Sequence, residues 1–446
     1  MSLEQVAATI AAHPWVSEVR PNADGGLCIW PDPSLLAVEP EPGALLREYL
    51  ENWGELYDLV YERGDGHHAE NLDLSGWRAS DSGQPFATSH MTEWIDRTVE
   101  LILRGRPRHV LELGCGTGLL FHRLRGQVAS YVGTDVSSFA VDRLRRAVKP
   151  NEALVRAAAH EAHTKVVQDA LDSVAGPDGR PDCVVLNSLT QHFPHAAYFR
   201  KVLADAIDLV QPGGRVFVGD IRHAGLLDHY CRWLELSAEP GLEGDELDQR
   251  VRQRTDREEE LLADPRLIAD IAARAARPVR MSVHAKTLQA DTELSRYRYD
   301  VVLHVDPSDP GPPVTALAWQ DLPAHDPLAA LPVNAREPLR VHGIPNRLLI
   351  PEAPGALTAV ELRRAVSDAD SSVHIDLHSP DQLVLAIPSP AGEFIPTESS
   401  TPISALAHEP MARYVNQRIR EVVRGHLRRT VPEQARVNLT VATDAL

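Results

Sequence analysis

The stretch that decides the fold reads Val110-Leu-Glu-Leu-Gly114-Cys-Gly116-Thr-Gly118, an apolar strand pattern that runs directly into three alternating glycines. Glycines at a strand-to-helix turn let the backbone turn tightly and let a ligand approach the amino terminus of the helix. The dinucleotide fingerprint G-x-G-x-x-G would need a glycine where Leu119 stands. The spacing therefore indicates a ligand without a pyrophosphate.

A second signal is Asp135, which ends the next apolar stretch of the chain. Its separation from the glycines is near that expected for an acid that binds ribose hydroxyls. Two alternatives stay open on these residues alone. One is a structural glycine turn beside a surface aspartate, and the other is an NAD site.

Outward from this turn, strand and helix patterns alternate, which is typical of a parallel sheet covered by helices. Apolar patterns predict strands at 109–113, 131–134, 165–167, 183–186, 215–218, 279–286 and 298–304, and helices at 119–124, 138–148, 196–209 and 246–262. We therefore expect a doubly wound, seven-stranded α/β domain with an antiparallel edge.

Linkers and changes of pattern divide the chain into four predicted segments. These are a helix–strand segment at 1–40, lid helices at 41–105, the α/β core at 106–306, and an α+β segment at 307–446. The last segment contains a strand pattern at 382–388 and a basic helix near 413–429.

Composition argues against several classes of protein. The formal net charge of -18 is unfavourable for an extended nucleic-acid surface, which needs clustered Lys and Arg. The sequence has no apolar run of membrane-spanning length, and its amino terminus is acidic and then amphipathic, unlike a secretory signal. The four cysteines stand far apart, which favours free thiols over a disulfide framework or a zinc site. We expect a cytoplasmic protein that binds no metal, nucleic acid or membrane.

The glycine turn, the acid at 135 and the alternating elements resemble class I S-adenosylmethionine-dependent methyltransferases. The resemblance implies S-adenosylmethionine as cofactor. It also implies a cofactor site with Glu112 near the methionine amine, Gly114, Cys115, Gly116 and Gly118 along the cofactor, Asp135 on the ribose, Asp169 and Ala170 at the adenine, and Asn187 and Ser188 at the mouth where cofactor and acceptor meet.

A narrower resemblance covers most of the chain. It is similar to the methyltransferase domains inserted in the adenylation domains of nonribosomal peptide synthetases. The matching segments are Gly76-Trp77 with Gly83-Gln84-Pro85, Asn187-Ser188 with Gln191-His192-Phe193-Pro194, Val216 to Arg222, Glu258 to Leu261, and Glu293 to Val301. The resemblance implies that Trp77, Gln84, Gln191, Asp220, Arg222 and Arg296 contribute to the acceptor site.

The flanks fit the same resemblance. Residues 6–19 are similar to the adenylation segment before such an insertion, and residues 426–433 and 441–446 to the segment after it. The sequence has no large adenylation subdomain, no phosphate-binding loop of that family and no recognisable carrier site. We therefore interpret the flanks as a structural relic and expect a free-standing enzyme.

Departures from the family's usual residues bear on the acceptor. Arg78 and Asp81 replace an Asn and a Tyr, and His223 replaces an Asn found in many members. A carboxylate acceptor is already ionised and needs cationic anchors, for which Arg78, Arg222 and Arg296 are candidates. We therefore predict carboxyl O-methylation of a small di- or amino acid in natural-product biosynthesis.

Two alternatives remain open. An amine acceptor must be neutral, and Glu293, Asp81 or His192 are candidate bases. The reaction would then be N-methylation of an amino acid or of an aminoacyl group on a carrier protein. The alternative of a different class is a non-catalytic partner of a synthetase.

Overall fold

The computed structural model describes residues 2–63, 71–176, 179–309, 313–323, 325–331, 337–367, 369–431 and 437–442. The strands are β1 (Val16–Pro21), β2 (Leu27–Pro31), β3 (His109–Leu113), β4 (Ser130–Asp135), β5 (Glu152–Arg156), β6 (Cys183–Asn187), β7 (Arg215–Arg222), β8 (Leu262–Ala263), β9 (Val279–Ala285), β10 (Arg298–Val305), β11 (Thr315–Ala318), β12 (Leu339–Pro345), β13 (Ser372–Ile375), β14 (Gln382–Ile387), β15 (Ala407–His408) and β16 (Leu439–Val441). The helices are α1 (Leu3–Ala11), α2 (Ala44–Glu62), α3 (Thr88–Leu103), α4 (Leu119–Leu124), α5 (Ser138–Arg145), α6 (Lys165–Ala175), α7 (Ala196–Leu209), α8 (Leu227–Ala238), α9 (Gly244–Thr255), α10 (Pro265–Ala273), α11 (Glu293–Arg296), α12 (Ala359–Ala365) and α13 (Met411–Thr430).

The main sheet has the order β11-β12-β14-β13-β9-β10-β7-β6-β3-β4-β5. Strands β3 to β7 pair in parallel, which confirms the predicted doubly wound α/β fold. The chain proceeds from β3 outward to β4 and β5, then returns to the other side of β3 as β6. This reversal opens a crevice at the carboxyl ends of β3 and β6, where ligands bind in such sheets.

Three predicted elements differ from the structure. The third parallel strand is β5, whereas residues 165–167 begin α6, because Val167 and Leu171 bury one helical face. The antiparallel strand β10 lies between β7 and β9 and is therefore not an edge. The helix predicted over 246–262 ends at Thr255, and Leu262 already lies in β8.

Residues after 306 continue the main sheet. The pairing of His374 in β13 with His284 in β9 joins β11–β14 to the core strands. Strands β12, β13 and β14 pack against α12 through a core that includes Val341, Leu362 and Leu385. The predicted α+β segment thus extends the main sheet from β11 to β14, whereas β15 and β16 belong to other sheets.

The chain divides into two compact units, residues 1–53, 194–198 and 409–446 in one and residues 54–193 and 199–408 in the other. In the first, α1 and α13 share an apolar core with the sheet β1-β2-β16. The two segments predicted to resemble an adenylation domain therefore fold together, although residues 432–436 and 443–446 of the second lie outside the described part. Among the described helices, none has the length and apolar character needed to cross a membrane.

Candidate functional site

The glycine turn after β3 adopts a backbone that requires glycine. Gly114, Gly116 and Gly118 have φ values of 77°, 50° and 87°, in the left-handed region that other residues rarely adopt. A Cβ on Gly114 would lie 2.7 Å from a methyl carbon of Leu189, and one on Gly116 would lie 3.1 Å from the Tyr61 hydroxyl. Glycine is therefore required at this turn both by the backbone conformation and by the side chains packed against it.

Asp135 at the end of β4 is fixed beside this turn. Its Oδ2 accepts the Gly116 N–H at 2.8 Å, and its Oδ1 accepts the Ser137 N–H at 2.8 Å. Burial raises the pKa of Asp135, and the two backbone donors oppose that rise. Each carboxylate oxygen can accept more than one hydrogen bond, so Asp135 can also receive ribose hydroxyls. That role remains a prediction.

The lid helix α2 contributes two tyrosines that the sequence analysis missed. Tyr57 and Tyr61 are one turn apart, with ring centroids 5.3 Å apart. The Tyr57 hydroxyl lies 2.7 Å from Nε2 of His192, which belongs to the short helical turn after β6. Their i, i+4 spacing was the signal available in the sequence. Tyr57 thus connects the glycine side of the site with the predicted acceptor side.

Glu112 in β3 is buried, and its carboxyl group accepts a hydrogen bond from the Tyr131 hydroxyl. Burial raises the pKa of Glu112 to about 8, with Asp135 adding to the rise and the Tyr131 hydroxyl opposing it. Glu112 is therefore mainly uncharged at neutral pH before any ammonium group of a ligand approaches it.

Glu112→Gln is expected to stabilise the fold at pH 8 while leaving its stability near pH 4.5 unchanged. The folded pKa is about 8 against an ordinary value of 4.5, so between these values the unfolded chain releases a proton that the folded chain keeps. Wild-type stability therefore falls as the pH rises through this window, by about 4 kcal/mol at pH 8, whereas glutamine has no proton to release.

Urea unfolding at pH 5 and pH 8 measures this difference. The matched control is Glu152→Gln, because Arg125 donates to Glu152 at 2.8 Å and the pKa of Glu152 is lowered, its burial notwithstanding. That variant should lose stability at pH 8. An identical pH dependence in wild type and Glu112→Gln would contradict the assignment.

Asp169 and Ala170, which were predicted to lie at the adenine after a strand, are in the helix α6. Asp169 is on α6, exposed, and its carboxylate pairs with Lys165 at 2.6 Å, one turn away. The prediction placed Asp169 and Ala170 after a strand at 165–167, and that strand is a helix. The segment that follows the real third strand begins at Ala157 and continues through His160.

The end of β6 carries buried amide oxygens that suit a bound ligand. Among the described residues, Asn187 Oδ1 and Gln191 Oε1 have no hydrogen-bond donor. A Cβ on Gly219 would lie 2.3 Å from Asn187 Oδ1, so this glycine leaves space for the amide. Buried polar atoms normally have partners. S-adenosylmethionine carries ammonium, hydroxyl and amino donors, and the residues present fit it.

The predicted acceptor side is built around Asp220 near the end of β7. Asp220 is fully buried at φ 61°, and it accepts hydrogen bonds from Trp94 Nε1 at 3.0 Å, Ser188 Oγ at 2.5 Å and Arg298 Nη1 at 2.6 Å. Burial opposes ionisation, but Arg298 and Lys286 lower the pKa of Asp220 to about 2. Asp220 is therefore a permanently charged, positioned carboxylate.

Arg222 is neutralised by two carboxylates. Its guanidinium donates to Glu258 at 2.8 Å and to Glu260 at 2.6 Å, and its Cζ lies 4.8 Å from the Tyr230 ring centroid. Glu260 also faces His192: burial lowers the pKa of His192 to about 4, and Glu260 opposes that shift. Glu260 was not among the site residues predicted from the sequence.

Other predicted acceptor residues have structural partners. Glu293 is buried and accepts the Ser80 N–H at 2.7 Å and the Ser80 hydroxyl at 2.9 Å. His223 Nδ1 accepts the Gly225 N–H at 3.0 Å, and burial lowers the pKa of His223 to about 4. His223 thus caps a helical turn as a neutral imidazole.

The remaining lid residues are mostly exposed. Arg78, Asp81 and Gln84 lie at the surface, and Arg78 donates to the Gly83 carbonyl at 3.1 Å. Trp77 is half-buried, with its ring centroid 4.7 Å from that of Trp94. Arg296 lies on α11 and is paired with Asp291 at 2.5 and 2.6 Å. The structure brings Trp77 toward Asp220 through Trp94 and leaves Arg78 exposed.

Comparisons with known proteins identify relatives of this chain. Residues 86–254 match the family model described as "Methyltransferase domain". The chain is 30% identical over 334 residues to chondramide synthase cmdD of Chondromyces crocatus, covering 72% of this chain and 8% of that protein. It is 32% identical over 335 residues to the beauvericin nonribosomal cyclodepsipeptide synthetase of Beauveria bassiana, covering 71% of this chain and 10% of that protein.

A solved structure, the N-methyltransferase NodS from Bradyrhizobium japonicum WM9, aligns at 13% identity with a TM-score of 0.30, covering 49% of this chain and 97% of that one. The chain spans no more than about a tenth of the length of the synthetases above, 8% and 10%.

Proposed function

This chain is an S-adenosylmethionine-dependent methyltransferase related to nonribosomal peptide synthetases, and we propose that it methylates the nitrogen of an amine. The observation that carries the proposal is the charge of the acceptor mouth. We define the acceptor mouth by its described charged groups: Asp220, Arg222, Glu258, Glu260, Glu293 and Arg298. Four carboxylates face two guanidinium groups, and the Lys286 ammonium beside Asp220 is paired with Asp300 at 2.6 Å. This excess of negative charge attracts a protonated amine and repels a carboxylate.

The geometry gives little support to carboxyl O-methylation, which the sequence predicted. That prediction relied on three guanidinium anchors. Arg222 is bound by Glu258 and Glu260, and Arg296 by Asp291. Arg78 is exposed and donates to a backbone carbonyl. A carboxylate acceptor would have to compete with existing carboxylates for two of these three arginines.

Transfer to nitrogen also requires a group that takes the amine proton. When bound, S-adenosylmethionine supplies a methyl group on a positively charged sulfur. Burial keeps His192 neutral at pH 7, and its Nε2 lies 2.7 Å from the Tyr57 hydroxyl. The Tyr57–His192 pair and the neighbouring Glu260 are the groups through which the proton leaves. The buried surroundings exclude water and hold the acceptor in line.

The relatives support one class of acceptor. Because one of them is named a nonribosomal cyclodepsipeptide synthetase, we propose the α-amino group of an amino acid or of an aminoacyl thioester as the acceptor. In the second case a carrier protein is the partner. The reaction belongs to natural-product biosynthesis in either case.

The test is methyl transfer from labelled S-adenosylmethionine to pooled free amino acids and small aminoacyl thioesters. Mass spectrometry before and after mild alkaline treatment locates the label. A label that survives alkali on the amine supports the proposal. A base-labile methyl ester as the main product would overturn it in favour of the carboxylate.

Arg78→Ala is expected to change kcat/KM by no more than about twofold, as is usual for an exposed side chain with few partners. Steady-state kinetics with the best acceptor of the pooled assay measures this. Arg222→Gln provides the contrast, because it leaves Glu258 and Glu260 without their shared partner, and its kcat/KM should fall well below that of Arg78→Ala. A tenfold or larger rise in KM for Arg78→Ala would restore Arg78 to the acceptor site.

A further inference from the structure

A basic groove lies between α3 and the segment that contains α12, in the unit formed by residues 54–193 and 199–408. Four arginines line it: Arg97 from α3, Arg104 directly after α3, and Arg363 and Arg364 from α12. We call these four residues with Glu100 the arginine groove. Its volume is about 360 Å³. None of the residues assigned above to the cofactor side or to the acceptor mouth lines this groove.

One carboxylate, that of Glu100, forms ion pairs with three of these guanidinium groups. Glu100 accepts from Arg97 at 2.9 Å and from Arg363 at 2.7 Å, and it lies 3.5 Å from Arg104. Arg364 and Asp370 also line the groove and offset each other in charge. The described groups therefore leave about two positive charges uncompensated, on a chain whose net charge is -18.

Arg363 supplies an independent indication of a ligand. Its Nη1 is buried and has no hydrogen-bond acceptor among the described residues. A buried guanidinium N–H without an acceptor is costly, so this N–H suits an acceptor oxygen supplied by a ligand. Nη2 of the same side chain is already used by Glu100.

The groove also has depth. It shares Arg97, Glu100, Arg104 and Arg363 with a small inner cavity of about 60 Å³. The inner cavity is lined further by Trp94 and Lys286, both of which contact Asp220 of the acceptor mouth. A ligand held by the arginines can therefore be larger than a single oxyanion.

We propose that the arginine groove binds a phosphate monoester. Guanidinium groups present planar pairs of donors that match phosphate oxygens, and the excess of about two positive charges among the described groups matches a dianion. Converging donors from α3 and α12 suit a tetrahedral group with three terminal oxygens better than a flat carboxylate. This site is separate from the proposed amine acceptor and does not depend on it.

The test is isothermal titration of the full chain with glycerol 3-phosphate, inorganic phosphate, sulfate and succinate at constant ionic strength. The expected result is saturable binding of glycerol 3-phosphate, tighter than that of the other three. No saturable binding of the ester up to about 10 mM would overturn the proposal, since that limit is weaker than most specific recognition. Equal binding of inorganic phosphate would overturn the assignment to an ester.

Substitutions that remove a positive or a negative charge from the groove should change binding in opposite directions, which makes the test specific. Arg363→Gln and Arg97→Gln should each weaken binding by about tenfold or more, whereas Glu100→Gln should tighten it because a competing carboxylate is removed. Arg123→Gln is the matched control, since Arg123 is a surface arginine of α4 paired with Asp96 at 3.2 Å. Thermal unfolding shows whether each variant is folded. Weakening by Arg123→Gln equal to that by Arg97→Gln, or no tightening by Glu100→Gln, would contradict the groove as the site.

Discussion

Asp135→Ala is expected to weaken S-adenosylmethionine binding by about 100-fold, because two charge-assisted hydrogen bonds to the ribose are worth about 3 kcal/mol together. The loss has a second source in the protein. Asp135 holds the N–H groups of Gly116 and Ser137, so the substitution also loosens the glycine turn. Isothermal titration of the cofactor measures the change.

Asp169→Ala is the matched control for this experiment. It removes the same carboxylate from an exposed helical position whose described ion pair is with Lys165, and cofactor affinity should not change. Asp135→Asn keeps one acceptor oxygen, and its affinity for S-adenosylmethionine should lie between those of wild type and Asp135→Ala. If Asp169→Ala lost as much affinity as Asp135→Ala, the assignment of the ribose acid would fail. No cofactor binding by the wild type would instead favour a non-catalytic partner.

Glu260→Gln is expected to lower kcat/KM for an amine acceptor by about 30-fold. The lost negative charge corresponds to about 2 kcal/mol of attraction for the ammonium group and for the proton that leaves it. Cofactor affinity should stay within about threefold of wild type, because Glu260 faces His192 and Arg222 and makes no contact with the glycine turn. Steady-state kinetics and titration separate the two effects.

Glu258→Gln is the control for effects that pass through Arg222. Glu258 binds the same guanidinium, but Glu260, and not Glu258, shifts the pKa values of Tyr57 and His192. We expect Glu258→Gln to cost clearly less than Glu260→Gln. Equal losses in the two variants would show that both act by holding Arg222 in place, and Glu260 would lose its role toward the acceptor.

The cofactor side could be predicted in large part from sequence because its signals are local. The glycine turn and Asp135 each follow directly from a strand, and the structure places them together. The predicted strand at 165–167, which placed Asp169 at the adenine, was wrong for a similarly local reason. A three-residue apolar run at 165–167 fits a strand and a helix equally well, and the helix is decided by Leu171, one turn later.

The acceptor mouth could not be predicted because its partners are far apart in the chain. Arg222 meets Glu258 and Glu260, and Glu293 meets Ser80, more than 200 residues earlier. From the sequence alone, an arginine such as Arg222 can be interpreted as an anchor for an acidic substrate. Only the folded chain shows that carboxylates of the protein itself already bind it. The sheet extension is a further case, since it joins the core through the pairing of His284 with His374.

The central claim is that the acceptor is an amine, and a matched pair of acceptors tests it most directly. One acceptor is an amino acid amide, which has the amine and no carboxylate. The other is the N-acetyl derivative of the same amino acid, which has the carboxylate and no basic amine. With labelled S-adenosylmethionine, the account predicts methyl transfer to the amide and none above background to the N-acetyl acid. Transfer to the N-acetyl acid alone would contradict the account.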